Sequence, residues 1–205
     1  MGKIGIINYG MGNLISVKNA IDFIGKDAEI IDEPSEIQKF DKLILPGVGA
    51  FAMAMDNLTT RGFIEPLTKE VLINKKSLLG LCLGMQLLFE SSEEHGLNNG
   101  LGWIKGNVRS LKNEVSLVVP HMGWNNLTIK KKSQLLKNIN VNELDYYFVH
   151  SFYCKCDYEN DVIATTEYEV KMDVIIEHEN IFGCQFHPEK SQKNGLELIK
   201  NFCEL

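Results

Sequence analysis

The stretch LLGLCLGMQLLFE, residues 78–90, sets Cys82 between Gly80 and Gly84, where an apolar run suited to a strand gives way to apolar residues at helical spacing. A thiol on a sharp strand-to-helix turn is pushed out of the sheet top, and its flanking positions must be small because the turn brings backbone close. A helix starting near Leu83 would favour the thiolate through its positive end and offer unpaired N–H groups to an oxyanion. A core cysteine packed by glycines is the other reading, and C-x-G alone does not decide between them. A nucleophilic thiol also needs a base, and the base needs a group that fixes its tautomer. FGCQFHPEKS, residues 182–191, offers both. Pro188 disfavours helical geometry at His187, and on an extended segment His187 and Glu189 project to the same face.

The remaining histidines compete for the base. His95 falls in a polar loop and reads as solvated, and His178 reads as a strand-end or turn residue. His121 and His150 lie in VPHMGWN and YFVHSFY, where contact with a substrate or partner and a hydrogen-bonded structural role are both open. Five cysteines, an odd number, argue against a disulfide framework. Cys154-Lys155-Cys156 lacks the spacing of a structural zinc site, and a set made of Cys154, Cys156, Cys184 and His187 would leave Cys82 without a purpose. No metal and no cofactor are expected.

These residues need a scaffold that carries them to one place. KIGIIN (3–8), KLILP (42–46) and SLLGL (77–81) read as strands, and LISVKNAIDFIG (14–25), AFAMAMDNL (50–58) and FIEPLTKEVLIN (63–74) as helices. Such alternation means a parallel sheet with helices on both faces, whose chemistry sits beyond the carboxyl ends of the strands. The second half is richer in strands: 106–111, 116–120, 146–152, 161–168, 174–178 and 181–186, the last two joined as a hairpin through HENIFG. NGLELIKNFCEL (194–205) closes the chain as an amphipathic helix. The fold class is therefore α/β, three-layered and flavodoxin-like, with a mostly parallel central sheet and an added antiparallel portion in the second half.

At 205 residues the chain fits one domain, 1–205. A net charge of −6 gives no general attraction to phosphate backbones, so nucleic acid is not an expected partner. The one basic run, Lys130-Lys131-Lys132, reads as a solvated turn, with docking to another protein as its alternative. The N-terminal MGKIGIINYG opens on a strand-like run without a secretory apolar segment, so the reading is cytoplasmic, without membrane contact.

With Cys82 and His187-Pro188-Glu189 assembled, the chain resembles the class I (triad) glutamine amidotransferases. GLCLGMQ and HPE are two signatures of that family, and PGVGAF (46–51) matches its oxyanion strand. Within the family the likeness narrows to the glutaminase subunits of imidazole glycerol phosphate synthase. It runs end to end through NYGMGNL (8–14), PGVGAF, CLGMQLLFESSEE (82–94), PHMGWN (120–125), YFVHSFY (147–153) and QFHPEKSQ (185–192).

The resemblance implies that Cys82 attacks the side-chain amide of L-glutamine, that His187 takes the thiol proton and later protonates the departing ammonia, and that Glu189 orients His187. It implies an oxyanion hole from Leu83 and the Gly47-Val48-Gly49 segment, and a glutamine pocket lined by Gln86, Glu94, Ser151 and Phe152. It further implies a heterodimer with a (β/α)8 cyclase subunit that receives the ammonia, with Asn13, Trp124, Tyr147 and Lys190 at the interface near the passage. Phe152 stands where the family pattern usually has Tyr, and YEVKMDV (168–174) lacks the Gly and Phe of the pattern. A subunit feeding a sugar-modifying amidotransferase, and a non-catalytic regulatory module of the same fold, are the alternatives.

Overall fold

Strands buried on both faces must be covered by apolar helix stripes on both faces, and the chain supplies these in alternation. The computed structural model describes residues 2–140 and 144–205. In chain order the elements are β1 (Ile4–Ile7), α1 (Leu14–Phe23), β2 (Ala28–Ile31), β3 (Lys42–Gly47), α2 (Phe51–Thr60), α3 (Ile64–Thr68), β4 (Ser77–Cys82) and α4 (Leu83–Gln86). They continue with β5 (Phe89–Ser92), β6 (Asn98–Asn99), β7 (Ile104–Ser110), β8 (His121–Asn126), β9 (Thr128–Ile129), β10 (Asp145–His150), β11 (Phe152–Cys156), β12 (Val162–Tyr168), β13 (Val170–His178), β14 (Ile181–Cys184) and α5 (Gln192–Glu204).

Five strands in the order β2-β1-β3-β4-β14 pair in parallel. Side chains alternate across this sheet. Ile4, Ile6, Ile44, Leu79 and Leu81 pack with Val17 and Ile21 of α1 and Leu198 and Phe202 of α5. Ile7, Leu43, Leu45 and Leu78 pack on the other face with Phe51 and Leu58 of α2 and Leu67 of α3. From β14 the sheet continues through β13, β11 and β7 by antiparallel pairing, and β8 pairs with β10 in a separate two-stranded sheet. The α/β reading and the antiparallel second half hold.

Several expectations change in detail. Residues 116–120 form no strand. The N–H groups of Ser116 and Leu117 donate to the Glu169 carboxylate and the Tyr168 hydroxyl donates to the Val118 carbonyl, so side chains take the partners a ladder would use. The expected helix over 63–74 is α3 followed by a π turn at Lys69–Ile73. The span 146–152 divides at Ser151 into β10 and β11. After Cys82 the helix lasts a single turn, because Phe89–Ser92 leaves it to pair in parallel with β7.

Candidate active site

Parallel pairing of three strands explains how residues far apart in sequence meet. In the β3–β4 register Gly47 stands opposite Cys82, and in the β14–β4 register Cys184 stands opposite Leu81. Gly47-Val48-Gly49, Cys82 and His187 therefore leave the same end of three adjacent strands, the end where open α/β sheets do chemistry.

Cys82 has φ 53° and ψ −110°, a conformation that L-residues rarely adopt. What holds it there is the close approach of its neighbours. A Cβ added at Gly84 would lie 1.7 Å from the Leu45 carbonyl oxygen of β3, and one added at Gly80 would lie 2.7 Å from the Gly84 carbonyl oxygen. Only glycine lets α4 press this closely on the sheet, as the spacing around Cys82 implied. With α4 only four residues long, the aligned peptide dipoles expected of a longer helix are those of one turn.

His187 follows β14 in extended conformation, its N–H donating to the Tyr147 carbonyl at 3.0 Å and its carbonyl accepting from the Ser191 hydroxyl at 2.6 Å. Pro188–Lys190 then form a 3-10 turn, and this turn, rather than a continuing extended segment, brings Glu189 to His187. Nδ1 of His187 and Oε1 of Glu189 are 2.9 Å apart, with both side chains nearly inaccessible. Burial opposes charge on the imidazole, but Cys82 and Glu189 overcome it and raise His187 to about 10. Nε2 of His187 is buried without a partner of hydrogen-bond geometry, so the thiol stands beside the ring without an aligned bond.

The cleft above these groups has a volume of about 350 Å³ and is lined by Val48, Gly49, Cys82, Leu83, Gln86, Glu94, Pro120, Val149, His150, Ser151, Phe152 and His187. All four residues expected to line a pocket are among them. Gln86 Nε2 donates to the Phe152 carbonyl at 2.9 Å and to Gln185 Oε1 at 3.1 Å. Glu94 Oε2 accepts the N–H of Phe51 at 2.6 Å and so caps α2, whose own Ala50 offers no side-chain cap. Gly47 is buried beneath the cleft, Gly49 has φ +111°, and Val48 is exposed at the rim.

Trp124 and Tyr147 are opposite one another on β8 and β10, their rings 6.1 Å apart, with Trp124 half exposed. Lys190 is exposed in the 188–190 turn, against which α1 packs. Asn13 is exposed and also caps α1, its Oδ1 accepting from the Ser16 N–H at 3.2 Å. Gln185 escaped the sequence reading. It is fully buried, with Nε2 3.8 Å from Cys82 Sγ. Its signal was available, since Gln185 and His187 are two apart on an extended segment. His95 is exposed, and His178 Nδ1 meets Asp161 Oδ1 at 3.0 Å. Among the described residues no cluster of three or more His, Cys, Asp or Glu is arranged to hold a metal ion.

A family model, glutamine amidotransferase class-I, matches residues 7–205. The chain belongs to the class I glutamine amidotransferases. It is 50% identical over 203 residues to imidazole glycerol phosphate synthase subunit HisH 2 of Vibrio vulnificus (strain YJ016), covering 98% of this chain and 94% of that protein. It is 47% identical to the HisH subunit of Moorella thermoacetica (strain ATCC 39073 / JCM 9320), covering 100% and 96%. The structure of PurLQS from Thermotoga maritima aligns with a TM-score of 0.76 at 15% identity, covering 100% of this chain and 99% of that one, which speaks to the fold alone. Among the described residues no helix of this amidotransferase is long and apolar enough to cross a membrane.

Proposed function

We propose that this chain, acting as one domain, is the glutaminase subunit of an imidazole glycerol phosphate synthase, supplying ammonia in histidine biosynthesis. The observation that carries the chemistry is that Cys82 and His187 line one cleft, with Glu189 bonded to His187, through the β3–β4–β14 pairing. The observation that carries the partner is the identity of about half over whole chains to HisH subunits.

In the proposed reaction the Cys82 proton passes to His187 Nε2 before the attack, giving the thiolate–imidazolium pair that a raised His187 favours, and Sγ then forms a bond to the glutamine amide carbon as the carbonyl π pair moves onto oxygen. The negative oxygen of the tetrahedral intermediate is met by the Leu83 N–H and a backbone N–H of the Gly47–Gly49 segment, each such donor worth about 3 kcal/mol. Gly49, at a φ that only glycine adopts freely, permits the peptide rotation that would aim that segment. His187 then gives the proton to the leaving nitrogen, and ammonia departs. Water loses a proton to His187 and attacks the thioester carbon, the carbon–sulfur bond breaks, glutamate is released, and the Cys82 thiolate is left beside protonated His187 as at the start. Glu189 keeps Nδ1–H of His187 bonded throughout, which directs Nε2 at the thiol. Ammonia passes to a (β/α)8 cyclase subunit across the face bearing Trp124, Tyr147, Lys190 and Asn13, where it is used to form imidazole glycerol phosphate and aminoimidazole carboxamide ribotide.

The test is reconstitution with the candidate cyclase and its phosphorylated ribulosyl substrate. Glutamine-dependent imidazole formation should be lost in Cys82→Ala, while free ammonia still supports it. Retention of most glutamine-dependent synthesis by Cys82→Ala would remove Cys82 as nucleophile, and synthesis from ammonia but never from glutamine in the wild-type complex would remove this partner.

A further inference from the structure

Neither His121 nor His150 has a part in the chemistry above, yet both are buried and their rings are in contact. What stands at each end of the pair fixes where their hydrogens are. At one end His150 Nδ1 lies 2.9 Å from the Phe152 carbonyl oxygen, which can only accept, so Nδ1 carries a hydrogen. At the other end the Asn125 amide is oriented by two bonds. Its Oδ1 accepts the Asn126 N–H at 2.8 Å and its Nδ2 donates to the Glu167 carbonyl at 3.0 Å. Nδ2 also lies 3.2 Å from His121 Nε2, which must therefore accept. Between the rings, His121 Nδ1 and His150 Nε2 are 2.9 Å apart. Read from either end the answer is the same: both rings are neutral, both are in the Nδ1–H tautomer, and His121 donates to His150.

A proton added to either ring would set two N–H groups face to face. Burial pushes His121 down to about 4. Burial, and after it the neighbouring His121 and His187, push His150 down to about 3 against the pull of the Phe152 carbonyl. The row of hydrogen bonds starts on β8, runs through the end of β10 and finishes at the first residue of β11. There the Phe152 carbonyl also accepts from Gln86 Nε2 at 2.9 Å, and the neighbouring Ser151 carbonyl accepts the Leu111 N–H at 3.0 Å. Both carbonyls of a segment that lines the cleft are thus anchored.

We propose that His150 and His121 are positioning residues for the substrate: as a neutral pair of Nδ1–H rings they hold the Ser151–Phe152 segment in the orientation that receives glutamine. The inference rests on the glutaminase reading above. It assigns the pair to binding, so its loss appears in KM.

Two experiments test it. In the full chain labelled with 15N-histidine, NMR should show His121 and His150 in the Nδ1–H tautomer with no titration between about pH 5.5 and 8. An Nε2–H tautomer on either ring, or a titration in that window, overturns the proposal. In the complex with the cyclase subunit, His150→Asn places an amide N–H near the position of Nδ1, whereas His150→Gln places its amide near Nε2 and leaves the Phe152 carbonyl without that donor. His150→Gln should raise KM for glutamine at least about tenfold with kcat changed less than about threefold, and His150→Asn should raise KM clearly less. Equal KM values for the two variants, or a loss confined to kcat, overturn it. If the wild-type complex hydrolyses no glutamine, the glutaminase reading fails and the substrate role with it, while the NMR result still decides whether the hydrogen-bonded pair exists.

Discussion

Replacing Gly84 by alanine probes the contact that holds Cys82 in its strained conformation. The new Cβ would lie 1.7 Å from the Leu45 carbonyl oxygen, whereas ordinary contact begins at 3.4 Å, so about 1.7 Å of separation must open between α4 and β3. Both sides of the clash are backbone, and Leu45 is held in register opposite Gly80, so no side-chain rotation relieves it. Overpacking of this kind costs about 3 kcal/mol or somewhat more. For a chain of this length that is a fall in Tm of roughly 6–12 °C. The displacement carries Cys82 and the Leu83 N–H with it, and a misplacement of about 1 Å lowers kcat roughly a hundredfold. Gly25→Ala is the control: its φ is +74° with nothing within 4 Å, so only backbone strain of about 1 kcal/mol applies, away from the cleft. Thermal unfolding by circular dichroism and glutaminase assays on both variants decide the matter. A Gly84→Ala protein within about 3 °C of wild type, with kcat unchanged, would refute the close-approach argument.

Glu189→Gln removes one of the two groups that raise His187, so kcat should fall about a thousandfold with KM little changed, and the His187 titration followed by NMR should move below its wild-type position near 10. Because His187 is raised on folding, its contribution to stability is complete below about 6.5 and fades as pH climbs through about 10. Melting curves across that range should show this fall in the wild type, and should show it at lower pH in Glu189→Gln. Glu94 bonds the Phe51 N–H and also lines the cleft, and two variants separate that bond from the binding of glutamine expected of it. Glu94→Ala strips the cap from α2 and should lower stability by about 1 kcal/mol in urea unfolding, whereas Glu94→Gln keeps an acceptor for the Phe51 N–H and should keep that stability while raising KM for glutamine.

The residues proposed for the chemistry stand out most in the sequence, because each has a narrow physical reason. Only glycine fits where Gly84 meets Leu45, and Cys82, His187 and Glu189 are of the types that a nucleophile, its base and the group orienting that base require. The parallel core was legible from buried runs such as 42–46 and 77–81. What failed was periodicity in short apolar stretches. Leu87, Leu88 and Phe89 continue helical spacing after Cys82, yet all three are buried whatever the backbone does, and Phe89 belongs to β5. Residues 116–120 have strand composition, but the Glu169 carboxylate outcompetes any neighbouring strand for their N–H groups, and Val118 ends exposed. The β14–β4 pairing that carries His187 to Cys82 is a long-range contact with no local signal. It was legible only through the chemistry that requires it.

The measurement that tests the triad most directly is alkylation by a diazo-ketone analogue of glutamine in the presence of the cyclase partner and its ligand, with the adduct located by mass spectrometry. Cys82 alone should be modified, and His187→Ala should slow the reaction by orders of magnitude. An adduct on Cys154, Cys156, Cys184 or Cys203, or modification of Cys82 at an undiminished rate without His187, would contradict the account.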